Sequence, residues 1–249
     1  MSKLTLLLGD ATSLDLENES VDLIITHPPY FGVDVQRYGG NPSDQINSSR
    51  NRKKMLKLLS KAIKEMYRVL KPSGNLIIAN GPNDNIDVRF LLDTIDNSKF
   101  QYLDHIVQNS YDDSKLMEER IAKTNLAWYH FSKSNSVYFN PFKVRQYNNP
   151  VWNFRDENMD DPIDIELSKK YFVMDAMNKE IPKRFIEMFS KPGHVVLDPF
   201  GGSALVAITA VELGRVGISN DISEDQVKVA KERERLTLNE NSSLLNSSE

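Results

Sequence analysis

Cysteine is absent from the 249 residues. Its absence removes disulfides, thiolate-held zinc and iron–sulfur centres, and every mechanism built on a thiolate nucleophile. Histidine is scarce: His27, His105, His130 and His194 are scattered without metal-ligand spacing, so no metal site is expected. Apolar runs such as "LTLLL" and "NLIIA" are too short to cross a bilayer, and "MSKLTLLLGD" passes from its first apolar run into Gly-Asp with no cleavage-type segment. The expectation is a cytoplasmic protein with no membrane partner. An excess of positive charge is lacking too, with 35 Asp and Glu against 31 Lys and Arg. The surface as a whole is therefore not suited to gripping a polyanion, but a local basic groove is not excluded. One stretch, "SSRNRKKMLKLLSKAIK", concentrates basic residues, and taken alone it reads as a solvated helix face.

What is present is an alternation of strand-like and helix-like segments, which predicts an α/β fold: a mostly parallel sheet covered by helices. "LTLLLG" and "VDLIIT" read as short buried strands. Met55, Leu58, Leu59, Ala62, Met66, Val69 and Leu70 then recur at helical spacing, with lysines largely on the other face, until "KPSG" stops the helix. "NLIIAN", "YLDHIVQN", "LAWYHFSK" and "SVYFN" are strand candidates, the last two separated by a Ser/Asn turn and so hairpin-like. From about Asn140 to Asp164 no period is sustained, and the expectation is an irregular lobe. A helix bearing Ile181, Phe185 and Phe189 leads into "VVLD", a glycine turn, the helix "SALVAITAVELG", the strand "RVGISND" and a charged last helix. Residues 1–238 read as one domain, and 239–249, polar and Ser/Asn-rich, as a disordered tail.

Two stretches carry chemistry. "VVLDPFGGSALVAITAVELGRVGISNDIS" is strand, two-glycine turn, helix, strand and then an acidic residue about 20 positions after the turn, the pattern that binds an adenosine-type cofactor in open α/β sheets. The third glycine of a dinucleotide fingerprint is missing. Asp198 at the strand end would repel a pyrophosphate and attract a cation, so a ligand bearing an ammonium and a sulfonium fits better. In "VDLIITHPPYFGVD" a buried strand runs into two prolines and an aromatic. Pro28 and Pro29 end strand pairing and stiffen the turn, which holds one carbonyl and one ring in fixed places or serves simply as a strand exit.

"VLDPFGGS" with "ISNDIS" downstream, "LLLGDA" and "THPPY" upstream, resembles the amino-methyltransferases of DNA, which use S-adenosylmethionine to methylate N4 of cytosine or N6 of adenine. The order, target motif first and cofactor motif last, is that of the circularly permuted β group. "EMYRVLKPSGNLIIANG", "WYHFSKSNSVYFN" and "MNKEIPKRFIEMFSKPGHVVLDPF" resemble further family segments. The resemblance implies a Rossmann-like sheet with helices on both faces and a β-hairpin. It implies a target-recognition role for the lobe around 140–164, with double-stranded DNA as partner and direct transfer to a flipped-out base. Asp198, Phe200, Gly202 and Ser203 would line the methionine end of the cofactor and Asp221 would bind its ribose. Asp10 matches a position near the adenine ring, or else is a turn residue. His27, Pro28, Pro29 and Tyr30 would form the catalytic motif: the Pro28 carbonyl and the His27 side chain accept the amine N–H groups, and Tyr30 stacks on the base. With no cysteine, covalent attack at C5 of a pyrimidine is unlikely chemistry for this chain, whereas an exocyclic amine needs no covalent intermediate.

Two positions depart from the family. His27 stands where Asp, Asn or Ser is usual; a neutral imidazole can accept one N–H and loses that ability on protonation. Ala204 stands where a second turn glycine is usual; it fits if already helical, and otherwise crowds the cofactor. "THPPYFG" and "RYGGNPSDQI" are closer to the N4-cytosine branch. The lobe is short, so sequence reading rests on few contacts or on a second subunit in a homodimer. The alternatives are an N6-adenine enzyme, an RNA N-methyltransferase, or a catalytically weak DNA-binding subunit.

Overall fold

In a computed structural model of the chain, described for residues 3–29, 52–80, 99–110, 125–147, 149, 151–154, 161–171 and 177–246, the apolar runs become strands of a single sheet. The strands are β1 (Leu4–Leu8), β2 (Val21–Thr26), β3 (Leu70–Asn80), β4 (Gln101–Ser110), β5 (Asn125–Ser132), β6 (Val151–Phe154), β7 (Val195–Asp198) and β8 (Val216–Asp221), in the order β1-β8-β7-β2-β3-β5-β4-β6. β5 alone runs against its neighbours, and the rest are parallel. Every residue of β2 is buried, as a central strand covered on both faces requires.

Alternation along the central strands divides the core into two layers. Ile24, Leu76, Ile78 and Leu197 face helix α1 (Arg52–Val69), whose Met55, Leu59, Ala62, Ile63 and Met66 are fully covered. Leu23, Ile25, Ile77 and Val196 face the other way, onto α4 (Glu180–Phe189) and α5 (Leu205–Glu212). Each such side chain contributes about 1.5–3 kcal/mol on burial. Because α1 and α5 lie on opposite faces, the sheet winds outward in both directions from the boundary between β2 and β7. Open α/β sheets bind ligands at that kind of boundary, beyond the carboxyl ends of the strands.

Three expectations are corrected. The hairpin is β4 with β5, and residues 136–140 form no strand, because both edges of β5 are already taken by β3 and β4. The segment is held instead by single contacts, Tyr138 N–H to the Ser73 carbonyl at 3.2 Å and Asn140 N–H to the Met188 carbonyl at 2.7 Å. The described residues of the lobe are not irregular: they hold α2 (Pro141–Gln146), β6, and the start of α3 (Pro162–Lys170). Asn140 and Asp161 cap these helices with proline at the first helical position, an arrangement that preorganises the first turn. Residues 239–246 are helical, since α6 runs from Glu224 to Asn246. Extending a helix whose Val229, Ala230 and Arg233 are already buried needs no new nucleus. Trp152 is buried, with its ring 4.8 Å from that of Phe185.

The lobe joins the sheet through β6, which pairs with β4, and is tied to α6 through α3. Ile163 and Leu167 pack on Val229 of α6, and beside them Asp164 and Arg233 form a buried ion pair. Removing one partner of such a pair strips a buried charge of its compensation. Arg233→Ala is therefore expected to destabilise the protein by about 3–5 kcal/mol in urea unfolding, with most of the loss recovered in Asp164→Leu/Arg233→Met. Among the described residues, no helix is long and apolar enough to cross a membrane, and no cluster of His, Asp and Glu could hold a metal ion.

Candidate active site

Asp198 ends β7 and Thr26 ends β2, on the two sides of the boundary. The Thr26 hydroxyl donates to Asp198 Oδ1 at 2.8 Å, and the Phe200 N–H donates to the same oxygen at 3.0 Å. Burial pushes the Asp198 carboxyl up to about 7, against the pull of these two donors and with a smaller push from Asp221. An acid held this way is one that a cation would complete.

The turn after Asp198 is set by close packing. A Cβ on Gly201 would lie 1.8 Å from Ser219 Oγ, so only glycine lets this backbone lie against β8, where its N–H donates to the Asn220 carbonyl at 2.9 Å. Gly201→Ala should cost about 1–3 kcal/mol of stability in denaturant titration, because the Ser219 hydroxyl must turn away and the methyl still lies 3.0 Å from Ser219 Cβ and 3.3 Å from its Cα. Gly202 takes φ +49°, and its N–H donates to Asp221 Oδ2 at 2.9 Å. Asp221 Oδ1 accepts the Ser223 N–H at 2.9 Å at the start of α6. Burial raises the Asp221 carboxyl, opposed by the N–H groups of Ser223, Gly202 and Ile222. A carboxylate has about four acceptor sites, so Asp221 can fasten the turn and still meet hydroxyls.

Ala204 lies just outside α5 with φ +62°. Its methyl is buried against Ile208 and Ala230, with Leu4 and Leu6 behind, so the side chain belongs to the core. The left-handed backbone of this alanine carries strain on the order of 1 kcal/mol. Phe200 and Ser203 are half-buried on the same turn, Phe200 packing on the α1 layer. Asp10 is exposed and acts locally: its Oδ1 accepts the Thr12 N–H at 2.7 Å. The residue before it is bound to the site, as Gly9 N–H donates to the Asp221 carbonyl at 2.9 Å.

Asn220 was not singled out by sequence. Its buried amide donates to the Gly9 carbonyl at 3.0 Å and the Pro199 carbonyl at 3.2 Å, tying together the ends of β1, β7 and β8. The available signal was an Asn inside a strand, where that residue is depleted.

On the β2 side, His27 has a buried Nε2 and a ring 6.0 Å from Trp128, whose indole N–H donates to Gln108 Oε1 at 3.0 Å. Burial lowers the His27 imidazole to about 4, so it is neutral at physiological pH. Pro28 is buried and Pro29 half-buried, while Tyr30 lies outside the described residues. The fold thus brings His27 and Pro28, next to Thr26, beside Asp198 and its turn, and places Asp10 near Asp221.

Sheet order and crevice define a doubly wound α/β protein whose ligand site straddles two half-sheets. The chain belongs to the N6/N4 DNA methylase family, whose model matches residues 21–232, and it is a DNA amino-methyltransferase. Membership brings S-adenosylmethionine as methyl donor, the cofactor expected from the sequence. Type II methyltransferase M.HpaI of Haemophilus parainfluenzae is 28% identical over 232 residues, covering 88% of this chain and 69% of that protein. PvuII DNA methyltransferase (cytosine-N4-specific) superposes with a TM-score of 0.76 at 19% identity, covering 93% of this chain and 86% of that one. A DNA modification methylase of Thermus thermophilus, solved with S-adenosyl-L-methionine, gives a TM-score of 0.68 at 21% identity, with 92% and 93% covered. The two structures establish the shared fold.

Proposed function

We propose that this enzyme transfers a methyl group directly to N4 of a cytosine flipped out of double-stranded DNA. The observation that supports the reading is the hydrogen bond from Thr26 to Asp198, which brings the strand end that leads into His27 and Pro28 beside the glycine turn. Cytosine is favoured over adenine by "THPPYFG" and "RYGGNPSDQI".

S-adenosylmethionine supplies an activated methyl on a sulfonium. Its ammonium suits the buried Asp198 carboxyl, and its ribose hydroxyls suit Asp221. Phe200, Gly202 and Ser203 lie on the same turn, and Asp10, near Asp221, would lie toward the adenine. An exocyclic amine is a poor nucleophile because its lone pair is delocalised into the ring. The Pro28 carbonyl and the neutral His27 imidazole accept its N–H groups, which turns the lone pair toward the incoming carbon, and Tyr30 stacks on the base. The prolines hold these acceptors with little freedom left to lose.

Mass spectrometry of nucleosides from a methylation-deficient host expressing the protein tests the reading. N4-methylcytosine is the expected product. N6-methyladenine would overturn the choice of base and keep the mechanism. Neither base, with folded protein present, would overturn the activity on DNA.

A further inference from the structure

From Arg52 onward, the basic stretch singled out in the sequence is part of helix α1. Seven of the chain's 31 Lys and Arg fall within its 18 residues against one glutamate, in a chain of net charge −4. At 100° per residue, Lys53, Lys57, Lys61 and Lys64 lie within an 80° arc. All four are exposed, on the side opposite Met55, Leu59, Ala62 and Met66. The single acid is not directed to Lys57, Lys61 or Lys64: Glu65 accepts from Arg68 at 2.8 and 3.0 Å and from the Leu14 N–H at 3.0 Å. The first turn holds no acidic residue. Lys57, Lys61 and Lys64 thus stand as like charges about one turn apart. A polyanion laid along this face relieves that repulsion.

The position is also suited to one. Leu70, just after the helix, pairs with Val21 at the start of β2, so α1 runs back alongside β2 and its amino end lies toward the carboxyl edge that carries His27. With about 1.5 Å of helix per residue and 3.3 Å of strand, Lys57 stands at about the height of His27. Lys57 to Lys64 spans about 10 Å, the rise of about three base pairs.

We propose that Lys57, Lys61 and Lys64 of α1 grip backbone phosphates of the DNA flanking the target base. This rests on the reading of DNA as substrate. The contacts are sequence-independent: they hold the duplex on the α1 side of the crevice and carry no base information.

The test is fluorescence anisotropy of a labelled duplex with the full-length protein across a salt series, beside methyl-transfer kinetics. Lys57→Gln/Lys61→Gln/Lys64→Gln should make the slope of log K against log salt shallower by about 3, or about one per lysine. It should raise KM for DNA about tenfold or more and leave kcat at saturating DNA unchanged. Glutamine matches lysine in helix propensity, so the melting temperature should hold. A control that removes the same charge elsewhere, Lys169→Gln/Lys228→Gln/Arg235→Gln on α3 and α6, should keep the wild-type slope. An unchanged slope in the α1 variant, or an equal loss in the control, overturns the assignment while leaving methyl transfer by the wild type intact. A wild type that transfers no methyl to any DNA overturns the substrate reading itself, and the assignment with it.

Discussion

Replacing Asp198 with asparagine is expected to weaken S-adenosylmethionine binding about a hundredfold or more at pH 8, while making the ligand-free protein more stable. Losing one partner of a buried, hydrogen-bonded charge pair typically costs 2–5 kcal/mol. Asparagine keeps the shape and an oxygen for the Thr26 hydroxyl and the Phe200 N–H, so the turn should survive and the loss should be electrostatic. The stability gain follows from linkage. A carboxyl ordinarily near 3.8 but pushed by burial to about 7 binds its proton more tightly in the folded state. The penalty is absent below the lower value, grows as pH rises between the two, and is complete above about 7. It is on the order of 2–4 kcal/mol at pH 8, and the asparagine variant escapes it. Calorimetric titration and thermal melts at pH 5 and pH 8 check both halves. For the wild type, kcat/KM for the cofactor should rise with pH through about 7, because the ammonium needs the ionised carboxylate. A variant that binds like the wild type would remove Asp198 from the cofactor site.

His27→Ala is expected to lower kcat about 10²–10³-fold with cofactor affinity nearly unchanged, the usual cost of removing one preorganised hydrogen-bonding group aimed at the reacting centre. The sequence alone suggested that mild acid would protonate His27 and silence it. Burial lowers the imidazole to about 4, so no loss of kcat traceable to His27 should occur above about pH 5. The two sites should therefore separate in pH profiles: an acidic limb near 7 in kcat/KM for the cofactor, and none there in kcat at saturating cofactor. Single-turnover methyl transfer between pH 5 and 8 measures it. A limb near 6.5 in kcat that vanishes in His27→Ala would place the imidazole in a wetter setting than its buried Nε2 indicates.

Much of the site was legible in short stretches because its requirements are local. A turn that must lie on a neighbouring strand demands glycine at Gly201, a strand exit that must be stiff uses Pro28 and Pro29, and an amphipathic helix announces itself through Met55, Leu59, Ala62 and Met66. The capping pairs Asn140-Pro141 and Asp161-Pro162 were equally local and visible; they were obscured because their flanks lack a hydrophobic period. Asn220 was obscured for a different reason. Its importance lies in two carbonyls, Gly9 and Pro199, that are remote from it in sequence.

By itself the sequence determined the types of the central strands and of the helices with a clear hydrophobic period, the two chemical motifs and their reversed order along the chain, because periodicity, glycine and proline act over a few residues. The tertiary structure alone decided that Thr26 and Asp198, 172 residues apart, share a hydrogen bond. It also decided that Ala204 is core, that "SVYFN" finds no strand edge, and that His27 and Asp198 are both shifted by burial. Those outcomes depend on which strands become neighbours and on what water is excluded from, and both are set by long-range packing that no local pattern encodes.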